Sequence, residues 1–344
     1  MYIDQNKLKQ FSVNCFTSLG MPEEEANTVT KVMLEADMRG IHSHGFLRLP
    51  IYVERIQKGL IKNKAEITEE SSSTSTLLLD GHYSVGQVVG KHAMEKSIEI
   101  ADEHGVGLVA VRNSNHFGIT AYYSLLAAQQ DKIGLVISNV APLMPAIGGR
   151  EKVIGNNPIS IAAPTNEKPI VLDMALSNTA LGKVIYHNEN NMKVPKEWGV
   201  DSEGVPTDEP EKILNGGLLS AVGGPKGFGL AVMAEILTGI LSGGGFSKQI
   251  PSMYDTEKKQ SISHFMLAID IKKFIPLETY YANIDQLTAY IKDSAKAVGT
   301  DKIYMPGEIE FLKEESNRAK GIQIEGNLLN QLNSVASELG VEGL

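Results

Sequence analysis

The sequence predicts an α/β protein built on a central sheet, and three observations carry that expectation. Short β-branched runs alternate with helix-length amphipathic stretches between residues 76 and 185. Glycine supplies 33 of the 344 residues, which suits many tight turns. The composition is 42% hydrophobic and 21% charged, the balance of a folded globular chain, and the length suits two domains of about 150 residues each.

The first 60 residues read as helices. Pro22 followed by Glu23, Glu24 and Glu25 marks a helix start, because proline fits the first turn and the helix dipole favours carboxylates there. Ala26, Val29, Val32, Met33 and Ala36 recur at helical spacing, and Gly40 ends the run. Leu47, Ile51, Val53 and Ile56 form a second amphipathic stretch that stops near Gly59. Residues 61–75 are polar, with an unbroken Ser/Thr run at 71–75, and read as a loop. Strands are expected at 76–79, 106–111, 133–138, 159–162 and 169–172, and helices at 87–104, 120–130 and 175–185. A glycine-rich turn opens a helix over 226–241, and 264–270 reads as a buried strand. After Thr279 the chain is helical again, with a break at Tyr304-Met305-Pro306-Gly307.

Several classes are set aside. No apolar run approaches the roughly 20 residues that a membrane helix needs, and residues 1–5 do not open a secretory signal. The single cysteine, Cys15, excludes an intramolecular disulfide and fits a reducing compartment, so the expected location is cytoplasmic. One cysteine and eight scattered histidines make no zinc framework, and no metal is expected. The 32 Lys+Arg against 41 Asp+Glu leave a net charge of −9 without a basic block, which argues against nucleic acid as a partner.

Three polar junctions carry candidate chemistry. The first is Arg39-Gly40-Ile41-His42-Ser43-His44-Gly45-Phe46-Leu47-Arg48. Ser43 suits a helix cap, His44 then falls in the first turn where the dipole lowers its pKa, and Arg48 lies four residues on, on the same face. An arginine there suits a bidentate carboxylate contact while a neutral histidine handles a neighbouring hydroxyl. The same residues also read as a plain cap with two surface histidines. The second junction, Asn113-Ser114-Asn115-His116-Phe117-Gly118, lies between a strand and a helix, where open α/β sheets place their sites. His116 suits a general acid–base there, or is incidental to an Asn/Ser/Gly turn. The third, Gly223-Gly224-Pro225-Lys226-Gly227-Phe228-Gly229, enters an apolar helix. Its backbone N–H groups and Lys226 suit a phosphate, although the P-loop spacing is absent.

Gly105-Val106-Gly107-Leu108-Val109-Ala110 matches G-x-G-x-x-A but follows a helix and runs into a strand. A dinucleotide fingerprint needs the reverse order, so the match is rejected as a Rossmann signature. Gly155-Asn156-Asn157-Pro158 reads as a turn before a strand. Asp173 in Val171-Leu172-Asp173-Met174-Ala175 reads as a strand-end carboxylate that orients a ligand or caps a helix at Ala175.

Together these segments resemble the malate/L-lactate dehydrogenase family of NAD(P)-dependent oxidoreductases, which is unrelated to the Rossmann lactate and malate dehydrogenases. The resemblance spans nearly the whole chain. It implies a mixed-sheet, non-Rossmann cofactor domain, residues 73–271, inserted into a helical domain made by both chain ends, residues 1–72 plus 272–344. It also implies a homodimer with the active cleft near the subunit interface. By motif, His116 resembles the proton acceptor of the dehydrogenases, whereas the reductase branches give that role to His44 with Ser43. Arg48 resembles the substrate carboxylate clamp. Asp173, Met174, Ala175, Lys226, Gly307 and Glu308 resemble cofactor contacts, the cofactor being NAD with NADP as the alternative. Val140 departs from the pattern, because the family usually has a small hydroxyl residue there, beside the nicotinamide. The implied reaction is oxidation of a small 2-hydroxy acid. Residues 191–195, 198–201 and 252–255 look closest to ureidoglycolate dehydrogenases, and Asn115-His116-Phe117-Gly118 looks closer to the lactate and malate members. The alternative is an NADPH-dependent imino-acid or diketo-acid reductase of the same family.

Overall fold

The computed structural model describes residues 1–344. Its elements run β1 (Tyr2–Ile3), α1 (Gln5–Ser18), α2 (Glu23–Met38), α3 (Leu49–Gln57), β2 (Thr68–Ser72), β3 (Thr76–Asp80), α4 (Gly86–His104), β4 (Val106–Ser114), α5 (Thr120–Ala128), β5 (Lys132–Ser138), β6 (Ile159–Ala163), β7 (Ile170–Met174) and α6 (Leu181–Glu189). They continue with β8 (Gly199–Val200), α7 (Pro210–Leu214), β9 (Leu218–Leu219), α8 (Pro225–Glu235), β10 (Ile262–Asp270), α9 (Leu277–Lys292), α10 (Glu308–Lys320), β11 (Ile322–Gln323) and α11 (Gly326–Leu339).

The α/β expectation holds. Seven strands form one mixed sheet in the order β2-β3-β4-β10-β5-β6-β7. β3 is parallel to β4, β10 is antiparallel to β4 and β5, and β6 is antiparallel to β5 and β7. Strands β3, β4, β5 and β7 therefore point the same way. Their carboxyl ends, Asp80, Ser114, Ser138 and Met174, share one edge of the sheet. Loops leaving that edge carry three of the sequence motifs, at 113–118, 138–142 and 173–175.

Alternation along the central strands buries both faces. Val109, Val111, Val136, Met266 and Ala268 face α4 and α5 in one core. Their neighbours Ile137 and Phe265 face α6, α7 and α8 in another. Successive strand residues point to opposite faces, and each buried Val, Met or Phe side chain stabilises the fold by about 1.5–3 kcal/mol. A third core joins both chain ends, with Leu8, Phe16, Met33 and Tyr52 packed with Ile322, Leu332 and Ala336. β1 and β11 pair alongside it. No helix is long and apolar enough to cross a membrane.

Four sequence expectations are corrected. Residues 61–75 are not all loop, because Thr68–Ser72 forms edge strand β2 against β3. It is exposed throughout, so no buried alternation marked it. The helix expected from Ala175 begins at Leu181. Residues 175–177 are instead held extended: Leu176 N–H donates to Asn156 O, Val222 N–H donates to Leu176 O, and Ser177 bridges Ala221. The stretch opening at Leu47 is helical over Ile51, Val53 and Ile56 as expected, but Leu47 itself lies in the second of two short 3₁₀ turns, His42–His44 and Phe46–Arg48, and α3 begins only at Leu49. The helix over 226–241 ends its α-helical part at Glu235 and continues as a π-helical turn, Ile236–Ile240. The rejected G-x-G-x-x-A match has a packing role. A Cβ on Gly107 would lie 2.0 Å from Ser97 O, so glycine lets α4 lie directly on β4.

Candidate active site

The turn at 42–48 is set by Asp37, at the end of α2. Its carboxylate is almost fully buried and accepts from Phe46 N–H at 2.8 Å and meets His42 Nδ1 at 2.7 Å. The Asp37 side chain raises the His42 pKa through this hydrogen bond. Two consecutive 3₁₀ turns are thereby folded back against the end of α2. Ser43 does not cap a helix; its hydroxyl lies 2.9 Å from His44 Nδ1. Arg48 and His44 do not share an α-helical face either. Arg48 is returned to the turn by Nε donating to Ser43 O at 2.7 Å.

β4 delivers the second histidine. Asn113 adopts φ 52°, which turns the chain out of the strand. Buried Asn115 donates to Tyr83 O and Ser84 O, both at 3.0 Å, and so fixes the loop. Phe117 stacks on the His264 ring, with centroids 4.1 Å apart. His116 then lies beside His44 with ring centroids 5.3 Å apart and an interplanar angle of 22°. Its Nδ1 is 2.6 Å from the hydroxyl of Tyr52, a buried residue of α3. Each ring thus has Nδ1 engaged by a hydroxyl and Nε2 free.

Both rings are neutral near pH 7. Burial, with Arg48 adding to it, pushes the His44 pKa down to about 4. The expected direction holds, but burial and not a helix dipole causes it, because no α-helix begins at His44. Burial first, then the repulsion that a protonated His116 would meet from the neighbouring His44 and His264 rings and the Arg48 guanidinium, holds His116 well below 6.5. His264, wholly enclosed in β10, is pushed down to about 3 by burial. It joins β5 to β4 through contacts of 3.0 Å to the Ser138 hydroxyl and 2.9 Å to the Ser114 hydroxyl.

These rings make the fold acid-sensitive. Below pH 6.5 the unfolded chain protonates histidines that the folded chain keeps neutral, so stability falls as pH falls. From pH of about 7 to 4.5, His264 alone removes about 2–3 kcal/mol. Urea unfolding of the wild type and His264→Asn at both pH values checks this. The variant should be less stable near neutrality yet lose less on acidification; equal losses would show that His264 does not carry the effect.

The turn after β5 holds Val140. Val140 N–H donates to Asn157 Oδ1 at 3.2 Å, and Asn157 Nδ2 donates to Glu235 Oε2 at 2.7 Å. Buried Glu235 also accepts from Ser247 N–H at 2.8 Å. The Gly155–Pro158 segment is thus more than a turn: Asn156 holds Leu176 and Asn157 holds Val140.

Asp173 does not cap a helix at Ala175. It accepts from Ala121 N–H at 2.9 Å and so caps α5, and burial raises its pKa to about 6. The extended segment after Met174 and Ala175 pairs with 220–222, the strand-like stretch that leads into Gly223 and Gly224. This puts the start of α8, with Lys226 in its first turn, beside the end of β7. Gly223 and Gly224 take φ 60° and 64°, and no atom lies within 4 Å of a Cβ built on either. α8 has no side-chain cap. Two open left-handed glycines, free helix N–H groups and a lysine fit the phosphates of a dinucleotide.

Gly307 packs on Val171 of β7, whose N–H donates to Pro306 O at 3.0 Å. Glu308 is occupied within the fold. It pairs with Lys302 at 2.8 Å and Lys292 at 3.0 Å and accepts from Met305 N–H, which pushes its pKa down to about 2. A cavity of about 580 Å³ lies beside this break, lined by Ile170, Met305, Pro306 and Phe311 among others. The histidine pair lies elsewhere, so the predicted site residues form two groups: Ser43, His44, Arg48 and His116 in one, and the β7–α8 and Gly307 contacts in the other. Sequence reading missed Asp37, Tyr52, Glu235 and His264. Tyr52 is four residues after Arg48, and Glu235 and His264 are isolated polar residues in apolar runs, so these three left a readable signal and Asp37 did not.

Neutral acid–base groups and an anion-receptive helix start, carried by a mixed sheet rather than an all-parallel Rossmann sheet, meet the needs of a non-Rossmann nicotinamide-dependent dehydrogenase. The comparisons agree. The model of the malate/L-lactate dehydrogenase family matches residues 3–333. A malate dehydrogenase of Pyrococcus horikoshii is 40% identical over 357 residues, covering 100% of this chain and 99% of the relative. A ureidoglycolate dehydrogenase (NAD(+)) of Escherichia coli K12 is 33% identical, covering 98% and 96%. The solved sulfolactate dehydrogenase of Methanocaldococcus jannaschii superposes with a TM-score of 0.96 at 38% identity, covering 99% of this chain and 98% of that one. The chain belongs to the malate/L-lactate dehydrogenase family and is an oxidoreductase.

Proposed function

We propose that this protein oxidises a small 2-hydroxycarboxylic acid to the 2-oxo acid. The observation that carries this reading is the pair of neutral imidazoles, 5.3 Å apart, with Arg48 tied to the same turn. Asp173, Met174, Ala175, Lys226 and Gly307 would hold the nicotinamide cofactor, NAD or NADP. When bound, it supplies the hydride acceptor. Arg48 pairs with the substrate carboxylate. His116 Nε2 takes the hydroxyl proton while Tyr52 fixes the other ring nitrogen, and buried Gln87 faces the Tyr52 hydroxyl. Glu308 contributes by fixing the 302–308 break through its ion pairs rather than by a free carboxylate.

The relatives shift the weight among substrates. Names at 40% and 39% identity are malate and L-sulfolactate dehydrogenases, against 33% for ureidoglycolate. We therefore place malate and sulfolactate, which carry a second anionic group, ahead of ureidoglycolate. The Ser43–His44 pair favours one further reading, reduction of a cyclic imino acid or diketo acid with His44 moving the proton. The core shared by the chain ends supports the division into residues 1–72 plus 272–344 and residues 73–271. Leu230, Met233, Ile236, Ile240 and Leu241 leave an apolar stripe exposed along α8 and its π turn, which supports a homodimer. The buried thiol of Cys15 suits a cytoplasmic setting.

Reduction of NAD⁺ and NADP⁺, followed by absorbance, tests the proposal against (S)-malate, (S)-sulfolactate, (S)-lactate and ureidoglycolate. One acid should exceed the others by at least about tenfold in kcat/KM. Turnover of none, with NADPH oxidised by an imino or diketo acid, would replace the dehydrogenase reading with the reductase one.

A further inference from the structure

The loop at 251–260 touches the active-site turn through one residue. Arg48 Nη1 donates to the Tyr254 hydroxyl and to Met253 Sδ at 3.3 Å, and the guanidinium lies over the Tyr254 ring at 5.8 Å. Tyr254 is otherwise exposed, at 65%. An exposed tyrosine on a polar loop would ordinarily move freely, but this loop is clamped from below. Arg55, 1% exposed, donates to three of its backbone carbonyls: Met253 O at 3.1 Å, Asp255 O at 2.7 Å and Lys258 O at 3.0 Å. Gln260 Nε2 closes the base of the loop on Pro251 O at 3.1 Å, and Lys58 donates to Thr256 Oγ1 at 2.7 Å.

Arg55 is seven residues after Arg48, so the two arginines lie about two turns apart on one side of the helical path. Arg48 joins the 42–48 turn to the loop, and Arg55 grips the backbone of that loop. A buried guanidinium is costly to desolvate, and satisfying it with three carbonyls of a single loop fixes that loop more firmly than surface contacts do.

The remaining valences of Arg48 define what Tyr254 does. Nε is engaged by Ser43 O and Nη1 by the phenol, which leaves Nη2 without a protein partner. The phenol oxygen accepts from Arg48, so its own proton is available to donate. We propose that Tyr254 is a substrate-binding residue that shares the carboxylate with Arg48, and that Arg55 is the positioning residue that holds it there. This rests on the reading of Arg48 as the carboxylate clamp.

Removing one hydrogen bond to a charged group should be visible in binding and not in chemistry. Tyr254→Phe should raise KM for the preferred 2-hydroxy acid about tenfold or more, with kcat within about twofold of the wild type. Arg55→Met should raise KM similarly, and adding Tyr254→Phe to it should cost little further, because the loop is already released. Arg55→Lys keeps a buried cation and should recover part of the loss, which also serves if Arg55→Met fails to fold. A second readout is independent of turnover: oxamate should stabilise the NADH-bound wild type against heat more than it stabilises NADH-bound Tyr254→Phe.

An active wild type whose KM and oxamate effect are unchanged by Tyr254→Phe overturns this inference alone. A wild type that oxidises no 2-hydroxy acid and ignores oxamate overturns it together with the proposed function. A wild type that turns over none of the acids but loses oxamate binding on Tyr254→Phe supports the shared carboxylate site while removing the proposed reaction.

Discussion

His116→Ala should lower kcat by about 10²–10⁴-fold, the usual contribution of a positioned general base. His116 is held on three sides. Asn115 fixes the loop, Tyr52 engages Nδ1 at 2.6 Å, and His44 stacks at 5.3 Å. A proton can leave or arrive only at Nε2. The pKa held well below 6.5 keeps the ring neutral and ready to accept. The same depression weakens it as a base until its surroundings change. A substrate carboxylate paired with Arg48 offsets one of the charges that lowers it. The acid limb of kcat/KM should therefore fall below pH 6.5, not at the ordinary histidine value. His44→Ala should cost less than His116→Ala in the oxidation direction. NADH binding and the unfolding midpoint should be retained in both variants. A loss below about tenfold for His116→Ala would remove it as the base, and a larger loss in His44→Ala would transfer the role to His44.

The two histidines, Arg48, Lys226 and Asp173 were legible because each sits in a polar junction between elements of clear period. Strands β4 and β5 read correctly for the same reason: their β-branched runs are buried on both faces. What failed to read was long-range or exposed. β2 shows no alternation because it buries nothing. Ala175, Leu176 and Ala180 favour a helix, but Ser177, Asn178 and Thr179 between them do not, and pairing of 176–178 with 220–222 holds the segment extended. Asp173 caps α5, 52 positions earlier in the chain, and nothing local to Asp173 announces Ala121 as its partner. The carboxylate of Asp37 lies inside a helix that reads as amphipathic, so its contact with Phe46 is invisible until the chain has turned back.

That contact makes Gly45→Ala the most damaging small substitution expected in the site. A Cβ at position 45 would lie 2.0 Å from Asp37 Oδ2 and 2.1 Å from Asp37 Cγ. The carboxylate has no room to withdraw, because it is buried and already holds Phe46 N–H and His42 Nδ1. Either Asp37 gives up Phe46, leaving a buried donor and a buried charge unpaired, or the turn moves outward with Ser43, His44 and Arg48 on it. The first route costs stability by about 2–4 kcal/mol. The second displaces the histidine and the carboxylate clamp together, and misplacement of about 1 Å costs about 10²-fold in rate. Gly45→Ala should therefore lower kcat/KM by about 10²-fold or more while sparing NADH affinity, because the β7–α8 contacts lie outside the turn. Asp37→Asn separates the routes. It keeps the volume and an acceptor for Phe46 N–H but removes the charge facing His42, so it should cost only about tenfold. Steady-state kinetics, NADH titration and unfolding of both variants check this. Near-normal kinetics in Gly45→Ala would mean that the turn relaxes without moving His44 and Arg48, and Asp37 would then be a stabilising residue only.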